Sequence, residues 1–439
     1  MSRNQGLLCN LFLQIFGLNH DRQDLTAKAQ QMGGEVGSPT WVLTRSNAGE
    51  QLWNAGRYGE AEAVFNEILA ALGTTPSYER CVTLNRRCYR STGQPERAAA
   101  TYRLGLEVAA LLEQTDGVKR QRGLLQTDLG DVLRAMGDYD RARESYEASL
   151  AIAQEQNDNR QIAVVQNQLG TLALVQNNLT EAAQRYQGAL HIFQQLNEPA
   201  MEAVAWHQLG ITFQESHQWE AAEQAYRQSA QISEAQGNLP GAARTWNQLA
   251  NVSEGAGKLT EAEAWYRKAI YGFRDSGNGD MAAGAINNLA NLLQQFPDRL
   301  NEAQQLAQES LAIKQTLDPA AAQIWNIYNT LAEISDKQGN PAQAKDYRRL
   351  SRTARANFAG TQYELRQHAP LIEAVAMAVH NAEVRLQLES QLQEVDPECQ
   401  NIVWNAIRQI LNGERDEDTL CKGLNDINSQ IVLAILRQI

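Results

Sequence analysis

Histidine and cysteine are the residues of this sequence that most often act as nucleophiles, acid–base catalysts or metal ligands. The six histidines are scattered along the chain, and none lies in an H-E-x-x-H metal motif. The five cysteines form no C-x-x-C pair, so the spacing of a zinc site is missing. The sequence also has no nucleophile elbow and no glycine-rich phosphate loop. We therefore expect no catalytic residue, no bound metal, no cofactor and no enzymatic activity.

The cysteine spacing also bears on the cellular compartment. Cys81 and Cys88 lie seven residues apart, which places them on one face of a helix. The total of five is odd, which fits free thiols better than a framework of disulfides. Buried free thiols are typical of the reducing cytoplasm, so we expect a cytoplasmic protein.

Residues 6–18, GLLCNLFLQIFGL, are the only sustained apolar run. This run is shorter than the about 20 residues that a membrane-spanning helix needs. Its composition resembles a signal peptide, but no A-x-A-like cleavage site follows it. A packed N-terminal helix, a docking helix for a partner and a surface for self-association are the alternatives that we favour over secretion.

The net charge of −12 limits the classes of partner. Sequence-independent binding to nucleic acid needs a basic surface, which an acidic chain does not provide. Docking on an anionic membrane needs the same positive charge. We expect no nucleic-acid partner and no membrane partner.

An internal repeat organises most of the chain. Segments 129–150, 169–190, 209–230 and 249–270 align without gaps at a 40-residue step. A small residue recurs at Gly130, Gly170, Gly210, Ala250, Ala290 and Ala332. An alanine recurs at Ala61, Ala98, Ala142, Ala182, Ala222, Ala262, Ala303 and Ala344. An aromatic residue follows four positions later at Phe65, Tyr102, Tyr146, Tyr186, Tyr226 and Tyr266.

These residues resemble the tetratricopeptide repeat superfamily. The run Trp206-x-x-Leu209-Gly210-x-x-Phe213, followed by Ala222 and Tyr226, is similar to that family's W-x-x-L-G-x-x-Y … A-x-x-x-F pattern. The resemblance implies an all-α, right-handed α-solenoid of about eight antiparallel helix pairs over residues 41–357. Because the period is 40 and not 34 residues, the units look like the long-helix repeats of kinesin light chains, which are protein-binding scaffolds.

Each unit is expected to contain two helices, A and B. Gly or Ala at the helix crossing lets the backbones approach, and the aromatic residue fills the space between helices. We expect Thr180 and Thr260 to cap the N-termini of B helices, and Pro199 and Pro240 to mark gaps between units. The seventh unit has one extra residue in QQFPDRLNEA and has Ala307 in place of the aromatic, which predicts a local kink or a weaker packing joint.

The family's A helices line an inner groove, and the resemblance places an amide-rich stripe on that groove. Asn and Gln carry both donors and acceptors, so a row of them can pair with the backbone of an extended peptide. The predicted peptide-binding residues are Asn167, Gln168, His207, Gln208, Asn247, Gln248, Asn251, Asn287, Asn288, Asn291, Gln294 and Asn329, and Asn326 lies on the same stripe.

The alternative is that these amides only make a hydrophilic helix surface soluble, because Gln is frequent throughout the chain. Units four to seven have no Lys or Arg at the groove positions, so recognition of a C-terminal carboxylate is disfavoured. At the N-terminal end, Asp128, Asp131 and Arg134 predict a charged entrance for a basic segment. We interpret Trp206, Trp246 and Trp265 as core residues in preference to an aromatic ligand-binding cluster.

Three regions are predicted: an N-terminal helical extension (1–40), the solenoid (41–357) and a C-terminal helical region (358–439). The last reads as amphipathic helices at about 362–379, 381–393, 399–412 and 426–438, which either cap the solenoid or dock on a partner. The leading hypothesis is a bacterial scaffold that binds a protein or peptide. The rivals are a sensor arm controlling a separately encoded protease or NTPase, since the repeats resemble the C-terminal arms of bacterial signalling proteins, and a quorum-sensing peptide receptor.

Overall fold

The computed structural model of the protein describes residues 35–54, 57–85, 94–316, 323–358, 361, 365, 368–393, 402–424 and 426–439. Within these ranges the secondary structure is helical and there is no β-strand. The predicted all-α fold of consecutive helix pairs is therefore confirmed. The apolar run 6–18 and the cysteines Cys9, Cys88 and Cys399 lie outside the described residues.

The chain divides into two compact units, Met1–Ile232 and Ser233–Ile439. The first member of each helix pair is called the A helix here, and the second the B helix. The first unit contains the pairs α1 (Pro39–Asn54) and α2 (Tyr58–Leu72), α3 (Tyr78–Asn85) and α4 (Pro95–Ala110), α5 (Asp116–Ala135) and α6 (Tyr139–Glu155), and α7 (Asn159–Val175) and α8 (Leu179–Gln195). It ends with α9 (Pro199–Glu215) and most of α10 (Trp219–Ala235).

The second unit begins within α10 and continues the alternation of A and B helices. Its pairs are α11 (Leu239–Gly255) and α12 (Leu259–Asp275), α13 (Gly279–Leu293) and α14 (Leu300–Lys314), and α15 (Trp325–Lys337) and α16 (Pro341–Ala356). The tail helices are α17 (Ala369–His380), α18 (Ala382–Gln393), α19 (Ile402–Leu411), α20 (Glu417–Leu420) and α21 (Asp426–Leu436). The predicted limits 1–40, 41–357 and 358–439 stay predictions.

Within the 40-residue repeat, helices begin at a spacing of 20 residues. From α6 to α13 a new helix begins every 20 residues, because 17-residue helices alternate with three-residue connections. The middle residue of each connection has a positive φ: Gly137, Asn157, Asn177, Asn197, His217, Gly237, Gly257 and Gly277. At the end of α6, Asn157 N–H donates to Gln154 O (3.1 Å) and Asp158 N–H donates to Ala153 O (2.9 Å). This pair of bonds is the Schellman motif, which satisfies the last carbonyls of the helix.

The last residue of the connection also caps the next helix. Side chains of Asp138, Asp158, Asn178, Asn238 and Asn278 accept a backbone N–H from the first turn that follows. The expected caps Thr180 and Thr260 were wrong, because α8 begins at Leu179 and α12 at Leu259, so both threonines lie inside the first turn. Lys258, at the cap position of α12, makes no side-chain cap bond. Pro199 and Pro240 lie in first helical turns, as their punctuating role requires.

The predicted helix crossing is confirmed in detail. A Cβ added to Gly130 would lie 2.6 Å from Cε1 of Tyr146, and one added to Gly170 would lie 2.8 Å from Cε1 of Tyr186. At these two positions glycine therefore lets the tyrosine ring of the B helix lie against the backbone of the A helix. The eight recurring alanines and the six aromatic residues named above are all buried.

Successive A helices contact one another within each unit. These contacts join α1 to α3, α3 to α5, α5 to α7 and α7 to α9 in the first unit, and α13 to α15 in the second. The A helices therefore form a row in the first unit, and α13 and α15 lie side by side in the second. The groove positions that were predicted on A helices therefore lie on the row where neighbouring repeats come together.

The seventh repeat is irregular where the extra residue was noted. A 3₁₀ helix, Pro297–Arg299, joins α13 to α14, and both of these helices have 15 residues. Arg299 bonds Glu263 of the preceding B helix (2.6 and 3.0 Å) and Glu302 (2.7 Å). Arg267 also bonds both carboxylates. This ion cluster ties the irregular connection to α12.

The tail helices share one apolar cluster. It includes Val375, Ile407, Ile410, Val432 and Ile435, all fully or almost fully buried. Helix α21 also contacts α16, and Arg352 lies 3.2 Å from Glu417. The apolar residues of α21 thus pack inside the second unit, which is the contact that a capping role needs.

Candidate functional site

The predicted groove residues lie on five successive A helices, in two groups. The first unit carries Asn167 and Gln168 on α7 and His207 and Gln208 on α9. The second unit carries Asn247, Gln248 and Asn251 on α11, Asn287, Asn288 and Asn291 on α13, Gln294 directly after α13, and Asn326 and Asn329 on α15. The two groups are described separately below.

In the first unit the four residues are all half-buried. The ring of His207 packs edge-on against Tyr226, with 5.4 Å between centroids. The backbone carbonyls of Asn167 and Gln208 accept from Thr171 (3.0 Å) and Thr212 (2.9 Å). Asn167 Oδ1 is buried without a hydrogen-bond partner among the described residues. The contact with Tyr226 gives His207 a packing role, and its groove role stays a prediction.

Asn251 holds a buried tyrosine hydroxyl. Tyr266 Oη lies 2.6 Å from Asn251 Oδ1 and 3.1 Å from Glu254 Oε2. Burial, and next the charge of Glu254, raise the pKa of Tyr266, so its hydroxyl is a donor at neutral pH. Asn251 Nδ2 donates to Gln248 Oε1 (2.6 Å), so the oxygen and the nitrogen of this amide are both engaged.

The same arrangement recurs where a tyrosine is present. Tyr186 Oη lies 3.0 Å from Thr171 Oγ1, and Tyr226 Oη lies 3.1 Å from Gln214 Oε1. Burial raises the pKa of Tyr186 to about 12. The A-helix positions one and four residues after the crossing therefore contain partners for tyrosine hydroxyls. Sequence reasoning treated these positions only as groove surface.

The prediction that Asp131 forms part of a charged entrance at the N-terminal end is wrong, because this residue also binds a tyrosine hydroxyl. Asp131 is only 5% exposed, and Tyr146 Oη donates to its Oδ1 at 2.7 Å. Arg134 Nε lies 3.4 Å from the same hydroxyl. Asp131 is therefore turned into the helix crossing and is not available to a basic segment.

Asn291 and Gln294 bridge neighbouring repeats, because their own repeat has Ala307 where others have tyrosine. Thr330 Oγ1 donates to Asn291 Oδ1 (2.9 Å), and Gln294 Nε2 donates to Glu333 Oε2 (2.8 Å). The partner side chains, Thr330 and Glu333, both belong to α15. These amides thus hold α13 against α15.

A pocket of about 390 Å³ lies beside the remaining amides of the second unit. It is bounded by the three A helices α11, α13 and α15 and by the C-terminal ends of the B helices α12 and α14. The described residues that line it are Asn247, Phe273, Asp280, Met281, Gly284, Ala285, Asn287, Asn288, Lys314, Gln323, Asn326 and Ile327. Asn288 Nδ2 donates to Asn247 Oδ1 (3.3 Å) and so links α13 to α11 at its edge. Asn329 is exposed on α15 but does not line this pocket.

Sequence reasoning missed several residues of this pocket. Lys314 and Asp280 form an ion pair at its wall, and Lys314 lies at the end of a B helix, outside the stripe that was considered. Phe273 was missed as well, because it also lies on a B helix, α12. Gly284 was the sequence signal that could have located this pocket. A glycine inside a helix lowers stability, so its presence usually has a packing or functional reason.

The described part of the chain has no group of three or more His, Cys, Asp or Glu side chains placed to hold a metal ion. Of the residues searched, none belongs to a helix that is both long and apolar enough to cross a bilayer.

Comparison with known proteins identifies the repeat. A family model described as tetratricopeptide repeat matches residues 121–195, 161–235, 201–275 and 241–316. A search of curated proteins gave no match.

Several solved structures are similar to this chain, and the first two named below, which have TM-scores above 0.5, share its fold. A signal transduction ATPase with numerous domains, which has a tetratricopeptide repeat sensor and comes from Pyrococcus horikoshii, has a TM-score of 0.55 at 14% identity; the match covers 74% of this chain and 50% of that one. A Rap protein complexed with competence and sporulation factor has a TM-score of 0.52 at 13% identity, covering 80% and 95%. Kinesin-light-chain-like repeats from Podospora anserina reach a TM-score of 0.38 at 17% identity, covering 44% and 93%.

The residues that the family model matches, 121–316, contain the 20-residue spacing and the Gly–Tyr crossings. The repeats within these residues therefore belong to the tetratricopeptide repeat family.

Proposed function

We propose that the chain is a non-enzymatic scaffold that binds an extended segment of another protein, or a peptide, on the inner faces of its A helices. The observation that carries the proposal is the pocket bounded by α11, α13 and α15, in which amide side chains from three successive A helices meet. An amide can donate to a peptide carbonyl and accept from a peptide N–H, so such a wall suits backbone recognition.

The hydrogen bonds decide which amides are part of the proposed surface. Asn251, Asn291 and Gln294 hold neighbouring side chains, so their loss is expected to disturb the repeats themselves. Asn326 and Gln323 are exposed at the pocket. Among the described residues, the side chains of Asn247 and Asn288 have only the 3.3 Å bond to each other at its edge. The proposed contact surface is therefore these four residues together with Asn287.

Two further points support the proposal. The similar Rap structure is, by its description, complexed with competence and sporulation factor, and its match covers 80% of this chain. The acidic composition and the free-thiol interpretation of the cysteines favour action in a bacterial cytoplasm on a protein or peptide and not on nucleic acid or membrane.

Site-specific photo-crosslinking tests the proposal. The photoreactive residue p-benzoylphenylalanine replaces Asn326 in one variant and Tyr271 in a control variant, each expressed in the source organism. Tyr271 is 67% exposed on the B helix α12, away from the A-helix row. We expect a crosslinked adduct from position 326 whose attached peptide maps to one contiguous segment of a partner. Equal adducts from both positions, or none from position 326, would overturn the proposal.

The alternative is a regulatory arm that controls a separately encoded effector enzyme. It is favoured by the similarity to a protein described as having a tetratricopeptide repeat sensor, of which this chain covers half the length. A regulatory arm must change when its ligand binds, so hydrogen exchange in α17–α21 should change on addition of a peptide bound by the groove. Unchanged exchange there would leave the scaffold as the better account.

A further inference from the structure

Asn287 presents an acceptor to the pocket that nothing in the described structure satisfies. The side chain lines the pocket, is only 6% exposed, and its Oδ1 has no hydrogen-bond partner among the described residues. Buried amide oxygens are almost always paired, and an unpaired one calls for an explanation. A donor supplied by a ligand satisfies this atom without any change in the fold.

Gly284 gives the pocket its depth. It lies one turn before Asn287 on α13, hence on the same face of the helix. A Cβ added to it would meet no atom within 4 Å, whereas Gly130 and Gly170 each face a tyrosine ring. Glycine in a helix interior lowers stability relative to alanine, and helix packing does not account for it at this position. The missing side chain leaves room for a group that comes from outside.

The charge and the apolar character of the lining residues limit the chemical class of the group that the pocket can bind. Asp280 and Lys314 are paired with each other, and the other described lining residues are uncharged. Phe273, Met281 and Ile327 supply apolar surface around the same space. Bringing a charged group here would cost its hydration without offering it an unpaired counter-charge. An uncharged apolar group is favoured.

We propose that this pocket is a specificity subsite that seats one uncharged, apolar side chain of an extended peptide over Gly284, while a peptide N–H next to that side chain donates to Asn287 Oδ1. The proposal rests on the proposed peptide-binding function and adds to it a preferred residue class at one position. A volume of about 390 Å³ is at the lower end of the range of ligand pockets, which suits one side chain with its flanking peptide groups.

The test begins with a phage-displayed library of random linear peptides selected on the full chain. We expect the enriched peptides to share one position restricted to Leu, Ile, Met, Val or Phe. The same selection is made on Gly284→Leu, whose added side chain occupies the subsite, and on Gly188→Leu as a matched control. Gly188 is also a helix glycine whose Cβ would meet open space, but it lies exposed on the B helix α8.

Affinity of one enriched peptide is then measured by fluorescence polarisation. Gly284→Leu should weaken binding about tenfold or more, as expected for loss of a buried apolar anchor, while Gly188→Leu should leave it unchanged. Changing the peptide's anchor residue to Ala should weaken binding to the unaltered chain and to Gly188→Leu, but not further to Gly284→Leu.

Asn287 is tested through the peptide backbone. N-methylation removes one peptide N–H at a time. One N-methyl position beside the anchor should weaken binding to the unaltered chain about tenfold and have no effect on Asn287→Ala, whose helicity should be retained because an unpaired group is removed.

The outcomes separate the two proposals. Enriched peptides without a shared apolar position, or bound equally by Gly284→Leu, overturn the subsite and leave the peptide-binding function standing. If no peptide is enriched on the unaltered chain while Gly188→Leu also enriches none, the proposed function itself fails, and the subsite fails with it.

Discussion

At the residue scale, the left-handed position of the helix connections shows how one geometry admits different side chains. This position is occupied by glycine in some connections, by asparagine in three, and by His217 in one. Glycine and asparagine tolerate a positive φ, whereas a larger side chain is strained there. The ring of His217 packs near Trp219, with 5.5 Å between centroids, which offsets part of that strain.

We therefore expect His217→Asn to stabilise the protein, by about 0.5–1 kcal/mol, because asparagine adopts the left-handed conformation at lower cost. The reciprocal change, Asn177→His, should destabilise it by a similar amount, since Asn177 has the same conformation (φ 59°) at an equivalent connection. Urea-unfolding midpoints of both variants measure the effect. A lower midpoint for His217→Asn would show that the contact with Trp219 outweighs the backbone strain.

Individual side chains were predictable from the sequence where packing decides their position. The recurring alanines and aromatics follow from a fixed 40-residue period, so their burial could be read directly. The partners of polar groups could not be read in this way. Asn251 and Asn247 have the same residue type on one helix, yet only Asn251 lies within 2.6 Å of the hydroxyl of Tyr266. That difference depends on where a ring from the next helix ends.

At the element scale, ion pairs connect repeats that also share apolar clusters. Arg120, Arg143 and Arg160 each bind a carboxylate 38 residues further along the chain, Asp158, Glu181 and Glu198 respectively. The seventh repeat uses the cluster of Arg299, Arg267, Glu263 and Glu302 instead. Hydrogen bonds from Arg299, and then from Arg267, lower the pKa of Glu263 to about 2.

This cluster predicts a pH-dependent contribution to stability. The pKa of Glu263 is lower in the folded state than its ordinary value of 4.5, so the stabilisation is complete above about pH 5 and is lost as the pH falls towards 2. Glu263→Gln should cost about 1–2 kcal/mol at neutral pH, after allowance for solvent screening, and almost nothing near pH 2. Urea-unfolding midpoints across this range measure the difference.

Glu60→Gln provides the control for that series. Glu60 pairs with Arg57 on an exposed surface, where ion pairs contribute little. Its replacement should leave the midpoint nearly unchanged at every pH. A constant difference for Glu263→Gln down to pH 2 would contradict the ionic origin of its effect.

The helices themselves were largely predictable, but their ends were not. The period and the small-residue crossings indicated paired helices, and the extra residue in QQFPDRLNEA marked the irregular connection. The caps were misplaced because threonine is a favoured cap residue, although asparagine is favoured at least as strongly and Asn178 already holds the cap position of α8. The connection has only three residues, and its last one already serves as the cap, which a residue-type preference alone does not reveal.

At the scale of the whole molecule, a repeat array is stabilised by contacts between neighbours, so damage should spread only to adjacent repeats. The tail helices differ, since they share an apolar cluster of their own that includes Ile407 and Val432. The pocket of the second unit likewise depends on neighbouring repeats, because its walls come from α11 to α15. Stability in this fold and the binding proposed above therefore both depend on a few adjacent repeats.

Gly130→Val tests this locality. The new side chain begins where a Cβ would lie 2.6 Å from the ring of Tyr146, so the crossing of α5 and α6 must open, at a cost of about 1–3 kcal/mol. We expect faster native-state hydrogen exchange in α4–α7, whose helices contact this crossing, and unchanged exchange in α17–α21. Gly188→Val, in open space, should change neither region. Faster exchange spread evenly over the chain would show instead that the protein unfolds as one cooperative unit, because distant helices could then not retain their protection.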